Sequence, residues 1–165
     1  MSLLARGVVV CAAVALTAGC SSGPVEIDAP ALSGSAAADC RRLVAELPDS
    51  LAGQERRETT GDTAYSAAWG DPAIVVTCGV GEPAGYDLGA SCVQVDDAGW
   101  YVPDEVLAAA AEGDEDVDVT ATELNYRPRV ELQLPADYRP DGFGNAIGAL
   151  TQVIAREFER TGRCR

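Results

Sequence analysis

The first twenty residues constrain most strongly what this chain can become. After one charged residue, Arg6, an apolar run begins at Gly7 and continues as small and apolar residues to Gly19. As a helix these 13 residues would cover about 20 Å, whereas the hydrocarbon core of a bilayer is about 30 Å thick. The segment is therefore too short to span a membrane, and it predicts a signal peptide over residues 1–19. Export would place the rest of the chain outside the cytosol.

The end of this run predicts lipid attachment. Leu16-Thr17-Ala18-Gly19-Cys20 resembles a bacterial lipobox, with Thr17 at the position where the motif prefers leucine. A lipobox implies cleavage after Gly19 and a diacylglyceryl thioether, carrying chains such as palmitate, on the sulfur of Cys20. Two or more acyl chains anchor a protein stably. The alternative is an ordinary secretory peptide that is cleaved near Ala18.

The next residues have the composition of a connection. Residues 20–34 are small and contain proline, and only Val25–Asp28 could form a short edge strand. We expect a lipidated tether over residues 20–34 and one domain over residues 35–165, which is an ordinary domain size.

The charge of the chain excludes several function classes. The 12 basic residues face 26 acidic ones, and there is no histidine. Cleavage after Gly19 would remove only Arg6, so the mature chain would carry a net charge of −15. A nucleic-acid partner is therefore not expected, because phosphate neutralisation supplies most of that affinity. Ser-His-Asp and Cys-His catalysis and metal sites that need imidazole are also excluded.

Four cysteines remain for the domain once Cys11 leaves with the signal peptide and Cys20 carries lipid. They are Cys40, Cys78, Cys92 and Cys164. In an oxidising compartment an even number predicts two disulfides, with three possible connectivities. No C-x-x-C pair is present that would indicate zinc.

The turns between Cys78 and Cys92 favour a bridge that closes a hairpin. That pairing would leave Cys40 to join Cys164. The structural interpretation of the thiols is preferred over a redox role, because no histidine or second nearby cysteine lowers a thiol pKa.

Two amphipathic helices are predicted near the ends of the domain. The first covers Ala36–Leu47, with Ser35 as its cap and Pro48 as its stop. The second is capped by Asp141 and closed by Gly162. Its apolar stripe is Phe143, Ala146, Ile147, Leu150, Val153, Ile154 and Phe158.

Several runs between these helices are typical of antiparallel strands. They are 73–78, 92–96, 100–102, 117–122 and 129–134. The β-branched run 73–78 predicts a central strand, with the next two runs as its neighbours, and the last two predict a hairpin. Residues 49–61 are interpreted as a polar connection, and 103–111 as a brief helix. We predict an α+β fold in which an antiparallel sheet of four or five strands carries the N-terminal and C-terminal helices on one face.

Part of this pattern resembles a known family. The turn Trp69-Gly70-Asp71-Pro72 leads into a β-branched strand that ends Cys78-Gly79-Val80, and Cys92 and Trp100 follow downstream. This arrangement resembles the small actinobacterial lipoproteins catalogued as domain of unknown function 3515. The resemblance implies export and an envelope location, and it brings no catalytic or ligand-binding residues.

A cluster of carboxylates could in principle hold a calcium ion. Its members are Glu112, Asp114, Glu115, Asp116 and Asp118. With Asp114 at the first position of an EF-hand loop, Val119 stands where glycine is required and Asn125 where a bidentate glutamate is needed. The sequence therefore favours a solvated acidic loop, and it predicts no metal or cofactor site.

Aromatic and basic residues near the strand ends form a candidate binding surface. It comprises Trp69, Trp100, Tyr101, Arg56 and Arg57, with Tyr126, Arg127 and Arg129 as further candidates. Aromatic rings bind sugars or peptides, and guanidinium groups bind carboxylates or phosphates. The competing interpretation is that the rings pack in the core and the arginines form a salt-bridged face.

We expect a lipid-anchored protein on the outer face of the cytoplasmic membrane that acts as a non-catalytic binding or structural module of the envelope. Its partners would be an envelope protein or a cell-wall precursor. The alternative is a carboxylate-dependent hydrolase of wall glycans, because that mechanism needs two acids and no histidine. Two carboxylates in an open cleft, one with a raised pKa, would favour the enzyme.

Overall fold

Nine of the described strands lie between the two long helices. The computed structural model describes residues 23–87, 89–162 and 164. In this part of the chain the strands are β1 (Val25–Ile27), β2 (Ser50–Leu51), β3 (Gln54–Arg57), β4 (Thr59–Gly61), β5 (Ser66–Trp69), β6 (Ile74–Cys78), β7 (Cys92–Val95), β8 (Ala98–Tyr101), β9 (Val119–Glu123) and β10 (Val130–Leu134). The helices are α1 (Gly34–Glu46), α2 (Asp104–Ala111) and α3 (Asp141–Glu157).

Eight of these strands form one antiparallel sheet. Its order is β2-β3-β5-β6-β10-β9-β8-β7, and β1 and β4 form a separate parallel pair. The predicted antiparallel α+β class is confirmed, but the predicted number of strands in the sheet, four or five, was wrong. One strand that was not predicted, β5, is buried along its whole length. The other missed strands, β2, β3 and β4, lie in residues 49–61 and have mostly exposed side chains. A strand with little buried surface shows no apolar alternation, so the sequence there resembles a connection.

The β-branched run is central, as predicted, but its neighbours differ from the expectation. β6 lies between β5 and β10, with Val76 opposite Ala67 on one side and Leu132 on the other. Strands β7 and β8 pair with each other at the far edge, and β9 and β10 form the predicted hairpin. Alternate residues of these strands therefore share one buried face.

Helices α1 and α3 supply the other half of the hydrophobic core. Most of their buried apolar residues belong to the same cluster as the inward residues of β5, β6, β9 and β10. They are Cys40 and Leu43 of α1, and Ala146, Ile147, Leu150, Val153 and Ile154 of α3. The stripe predicted for the second helix is thus buried, apart from the partly exposed Phe143. The brief helix predicted over residues 103–111 is present as α2. The helix packing still differs from the predicted pair, because the domain has three helices and α2 has no fully buried residue.

The helix ends correct three predictions. α1 begins at Gly34 after Ser33, not after Ser35, and it ends at Glu46 before Pro48 as expected. Asp141 is the first residue of α3 rather than its cap, because Pro140 holds the cap position. α3 ends at Glu157 rather than at Gly162, because Phe158 turns into extended conformation and is buried in the core. No helix among the described residues has the length and apolar character needed to cross a membrane.

The disulfides are Cys40–Cys78 and Cys92–Cys164, with Cα–Cα distances of 5.5 and 6.0 Å. Two disulfides were predicted, but the favoured pairing of Cys78 with Cys92 was wrong. β7 lies four positions from β6 in the sheet, or about 19 Å at the usual strand spacing. Bridged cysteines need Cα atoms within about 7 Å.

The sheet has two distinct ends. We call the end that holds the β5–β6 turn, Gly70–Pro72, the turn end, and the opposite end, near the C-terminal residues 158–162 and 164, the tail end. α3 starts at the turn end, where the Tyr138 hydroxyl donates to the Pro72 carbonyl (2.7 Å), and runs to the tail end. α1 runs in the opposite direction and finishes at the turn end, where Trp69 meets Pro48.

Candidate functional site

The indole of Trp69 lies in the core at the turn end. It is fully buried, and its Nε1 donates to the carbonyl of Pro48 at 3.0 Å. The Arg56 guanidinium lies over the ring, 5.6 Å from its centroid, and donates to the carbonyls of Val44 (3.0 Å) and Leu47 (3.2 Å). A cation at the last carbonyls of a helix stabilises that end. Trp69 and Arg56 therefore fix α1 to the sheet and offer no ring face to a ligand.

Trp100 and Tyr101 are also packed inside the protein. Trp100 is fully buried, and its Nε1 donates to the hydroxyl of Thr151 on α3 at 3.0 Å. Tyr101 is 6% exposed and meets the ring of Tyr86 edge to face, with ring centroids 5.5 Å apart. Burial raises the pKa of the Tyr101 phenol. The candidate aromatic platform is thus not on the surface, and the packing interpretation describes these rings.

Arg57 and Arg129, like Arg56, make contacts within the domain. Arg57 is partly buried and donates to the carbonyls of Gly70 (2.9 Å) and Gly23 (2.6 Å). Arg129 lies 3.4 Å from the carboxylate of Glu82. Both guanidinium groups tie loops to the sheet rather than forming an open fork for a ligand.

The structure contains a buried carboxylate that the sequence analysis did not single out. Glu123 is fully buried, and its oxygens accept the backbone N–H of Asn125 (2.7 Å) and of Tyr126 (2.9 Å). Burial raises its pKa, and these hydrogen bonds partly oppose the rise. The sequence contained a signal for this burial. Val119 and Ala121 occupy odd-numbered positions that face the core, and Glu123 is the next odd-numbered position of the same strand.

Asn125 connects this carboxylate to the C-terminal segment. Its Oδ1 accepts the backbone N–H of Cys164 (2.6 Å), and its own carbonyl accepts the N–H groups of Thr161 and Gly162, both at 2.8 Å. Its Nδ2 donates to the carbonyl of Asp97 at 2.9 Å. The polar cluster around Glu123 and Asn125 is closed to solvent, so it stabilises the tail end and does not present an acid to a substrate.

A groove of mixed charge lies at the tail end, and we call it the tail groove. Its volume is about 300 Å³, and it shares lining residues with an apolar recess of about 290 Å³. Asp39 and Arg127 line both. The other residues are Arg42, Glu157, Phe158, Glu159 and Thr161 in the groove, and Ser35, Ala36 and Pro128 in the recess.

The charges in the tail groove fall into two groups. Arg42 bridges Asp39 (3.0 Å) and Glu157 (2.8 Å), joining α1 to α3. Arg127 instead donates to two backbone carbonyls, those of Leu124 (2.9 Å) and Tyr126 (2.7 Å). Burial and the neighbouring charge of Arg129 lower the pKa of Arg127. The groove can therefore hold a polar ligand by hydrogen bonds and ion pairs.

A second groove lies beside the start of α1. Its volume is about 420 Å³, and its walls are residues 29–32 and 61–65. Tyr65 forms part of the wall and accepts a hydrogen bond from Arg41 at 3.2 Å. Small and apolar side chains dominate this groove, and it holds one carboxylate, Asp62.

The acidic loop does not converge on a single point. Asp114 accepts the backbone N–H of Asp116 (3.1 Å), and Asp118 accepts that of Ala136 (2.9 Å). Within the described ranges no group of three or more ligating side chains could hold a metal ion. The predicted signal peptide and lipid attachment at Cys20 lie outside the described residues.

Comparison with known proteins gives a family and no function. A family model described as "Protein of unknown function (DUF3515)" matches residues 1–161. No curated protein and no solved structure matches the chain.

Proposed function

Because this chain belongs to the DUF3515 family, which is described as a family of unknown function, we propose a function from its own residues. We propose that it is a lipid-anchored, non-catalytic binding module on the outer face of the cytoplasmic membrane. Acyl chains on Cys20 hold it there, and its partner is an envelope protein or a cell-wall precursor.

The pairing of all four cysteines of the domain is the observation that carries the proposed location. Cys40–Cys78 and Cys92–Cys164 leave no thiol of residues 35–165 free. Structural disulfides persist in oxidising compartments and are rare in the cytosol. Together with the signal-peptide pattern over residues 1–19, they support export. The family match includes that N-terminal segment as well as the domain.

The position of Glu123 supports binding over hydrolysis. Glycan hydrolysis needs two carboxylates that face the substrate, about 5–10 Å apart, with the pKa of the acid raised. In the described part of the chain Glu123 is the carboxylate whose pKa is raised, and it is fully buried with its oxygens on backbone N–H groups. Its hydrogen bonds stabilise the fold, so the carboxylate is not available to a glycan.

The tail groove is the proposed contact surface. It combines the Arg127 guanidinium, which can pair with a carboxylate or phosphate, with the exposed carboxylate of Glu159 and the edge of Phe158. Such a mixture suits a peptide segment or an anionic wall precursor better than a wholly apolar ligand.

Site-specific photo-crosslinking in native membranes tests this proposal. A photo-reactive amino acid at Glu159, in the tail groove, is expected to capture one discrete partner, identified by mass spectrometry. The matched control is Gln152, which is exposed on α3 away from the groove. Absence of an adduct at position 159, or identical adducts at both positions, would contradict a binding role for this surface.

A further inference from the structure

The first described residues are attached to the turn end of the sheet. The carbonyl of Gly23 accepts a hydrogen bond from Arg57 at 2.6 Å, and the same guanidinium donates to Gly70 (2.9 Å) and lies 3.7 Å from the Asp71 carboxylate. Two residues later, the N–H of Val25 donates to Glu58 at 2.9 Å. The chain therefore joins the domain at Gly23, well inside the predicted tether.

Strand pairing continues this attachment. Val25–Ile27 pairs in parallel with Thr59–Gly61, and the buried Ile27 accepts the N–H of Asp62 at 2.9 Å. Leu32 then meets Gly79, where an added Cβ would overlap the leucine side chain. Residues 23–32 are thus part of the folded unit, and they run along it from the turn end towards the tail end.

This attachment limits how far the domain can lie from a lipid on Cys20. Three peptide links separate Cys20 from Gly23, so their Cα atoms are at most about 11 Å apart. By contrast α3, which connects the two ends of the sheet, has 17 residues and is about 25 Å long. The available chain is shorter than the domain, so the tail end cannot turn towards the bilayer while Gly23 stays bound.

We infer that the acylated Cys20 holds the turn end directly against the phospholipid headgroups, with the tail groove facing away from the bilayer. This inference rests on the proposed lipid anchor. The bilayer contact is made by the β5–β6 turn, where Asp71 and Pro72 are exposed beside Arg57. The orientation leaves the tail groove accessible to partners in the envelope.

Charge decides which part of the turn end approaches the lipid. The acidic loop 112–118 also joins this end of the sheet, because Asp118 binds the N–H of Ala136 just after β10. It leads into β9, two strands from β6, and its carboxylates are repelled by anionic headgroups. Contact therefore falls on the β5–β6 turn, and lipid attachment rather than charge attraction holds it there.

Photo-crosslinking to lipid tests the orientation. A short photo-reactive side chain replaces either Asp71 at the turn end or Glu82 at the tail end of the full chain in native membranes; both positions are exposed. Phospholipid adducts, measured by mass spectrometry, are expected to be several-fold more abundant at position 71. Asp137, also exposed and next to Tyr138, provides a second turn-end position if the first substitution impairs folding.

A lengthened connection is the matched control. A Gly-Ser insert of about 15 residues between Ser22 and Gly23 adds about 20 Å of average reach, so it should remove most of the difference between positions 71 and 82. Equal labelling at the two positions without the insert, or more at position 82, would overturn the orientation while leaving the anchor intact. A chain that lacks acyl mass and enters the aqueous phase in detergent phase partitioning would overturn both the anchor and the orientation. Detergent partitioning therefore distinguishes failure of the anchor from failure of the orientation alone.

Discussion

Replacing Cys40 and Cys78 together with alanine is expected to lower the free energy of unfolding by about 4 kcal/mol. The bridge closes a loop of 38 residues and joins α1 to the central strand β6. Both cysteines are fully buried, so the variant also loses packing in the core. Against a typical total of about 5–15 kcal/mol, this loss would leave a marginal fold. Urea denaturation of the oxidised proteins measures it.

The second bridge provides the matched control. Cys92→Ala with Cys164→Ala opens a loop of 72 residues that does not overlap the first, so the two losses should add approximately. Because Cys92 is partly exposed at the sheet edge, little packing is lost beyond the loop constraint. Peptide mapping without reductant should recover Cys40 with Cys78. Recovery of Cys78 joined to Cys92, or an unchanged denaturation midpoint in the Cys40 and Cys78 variant, would contradict the described pairing.

Glu123→Ala is expected to cost about 3 kcal/mol or more, because two buried N–H groups lose their acceptor and a cavity forms. Glu123→Gln should cost less, about 1–2 kcal/mol, since one oxygen still accepts a hydrogen bond while the amide nitrogen faces a donor. Glu159→Gln, an exposed change at the tail end, is the control and should leave stability nearly unchanged. Urea denaturation compares the three. Equal stability of all three variants would refute a structural role for the buried carboxylate.

The same residue predicts a pH dependence. Burial raises the pKa of Glu123 in the folded state, so between its ordinary pKa and the raised one the folded state binds more protons than the unfolded state. The stability that Glu123 contributes is therefore full at low pH and is lost as pH rises through the folded pKa. The stability difference between the wild type and Glu123→Gln should shrink over that interval. A difference that grows with pH would show that the N–H groups of Asn125 and Tyr126 outweigh burial.

Local periodicity was enough to predict the elements with one strongly buried face. The stripe from Ala146 to Ile154 follows such a period, whereas the run at Val75 and Val76 was predicted from its β-branched composition; both elements formed as expected. Residues 49–61 were missed because their strands pair through the backbone and leave side chains such as Glu55 in solvent. Backbone pairing alone gives no side-chain pattern to detect.

The sequence could not predict which residues that are distant along the chain contact each other in the fold. Cys78 and Cys92 are close in sequence, and only the strand order separates them, which no local pattern specifies. The tail groove likewise combines Asp39, Arg127 and Glu157, which come from three distant segments. The predicted aromatic surface failed to appear because Trp69 ends its strand facing inward and donates to the carbonyl of Pro48, just after α1. A large ring at a strand end looks the same in sequence whichever way it faces.

The intact mass of the native protein, extracted from membranes with detergent, tests the central claim most directly. The account predicts a chain that begins at Cys20, carries at least two acyl chains, and gains the mass of four hydrogens on reduction of its two disulfides. Cys20→Ala is the matched control and should lose the acyl mass together with membrane retention. A native protein that keeps Met1 and carries no acyl chain would contradict both the anchor and the envelope location.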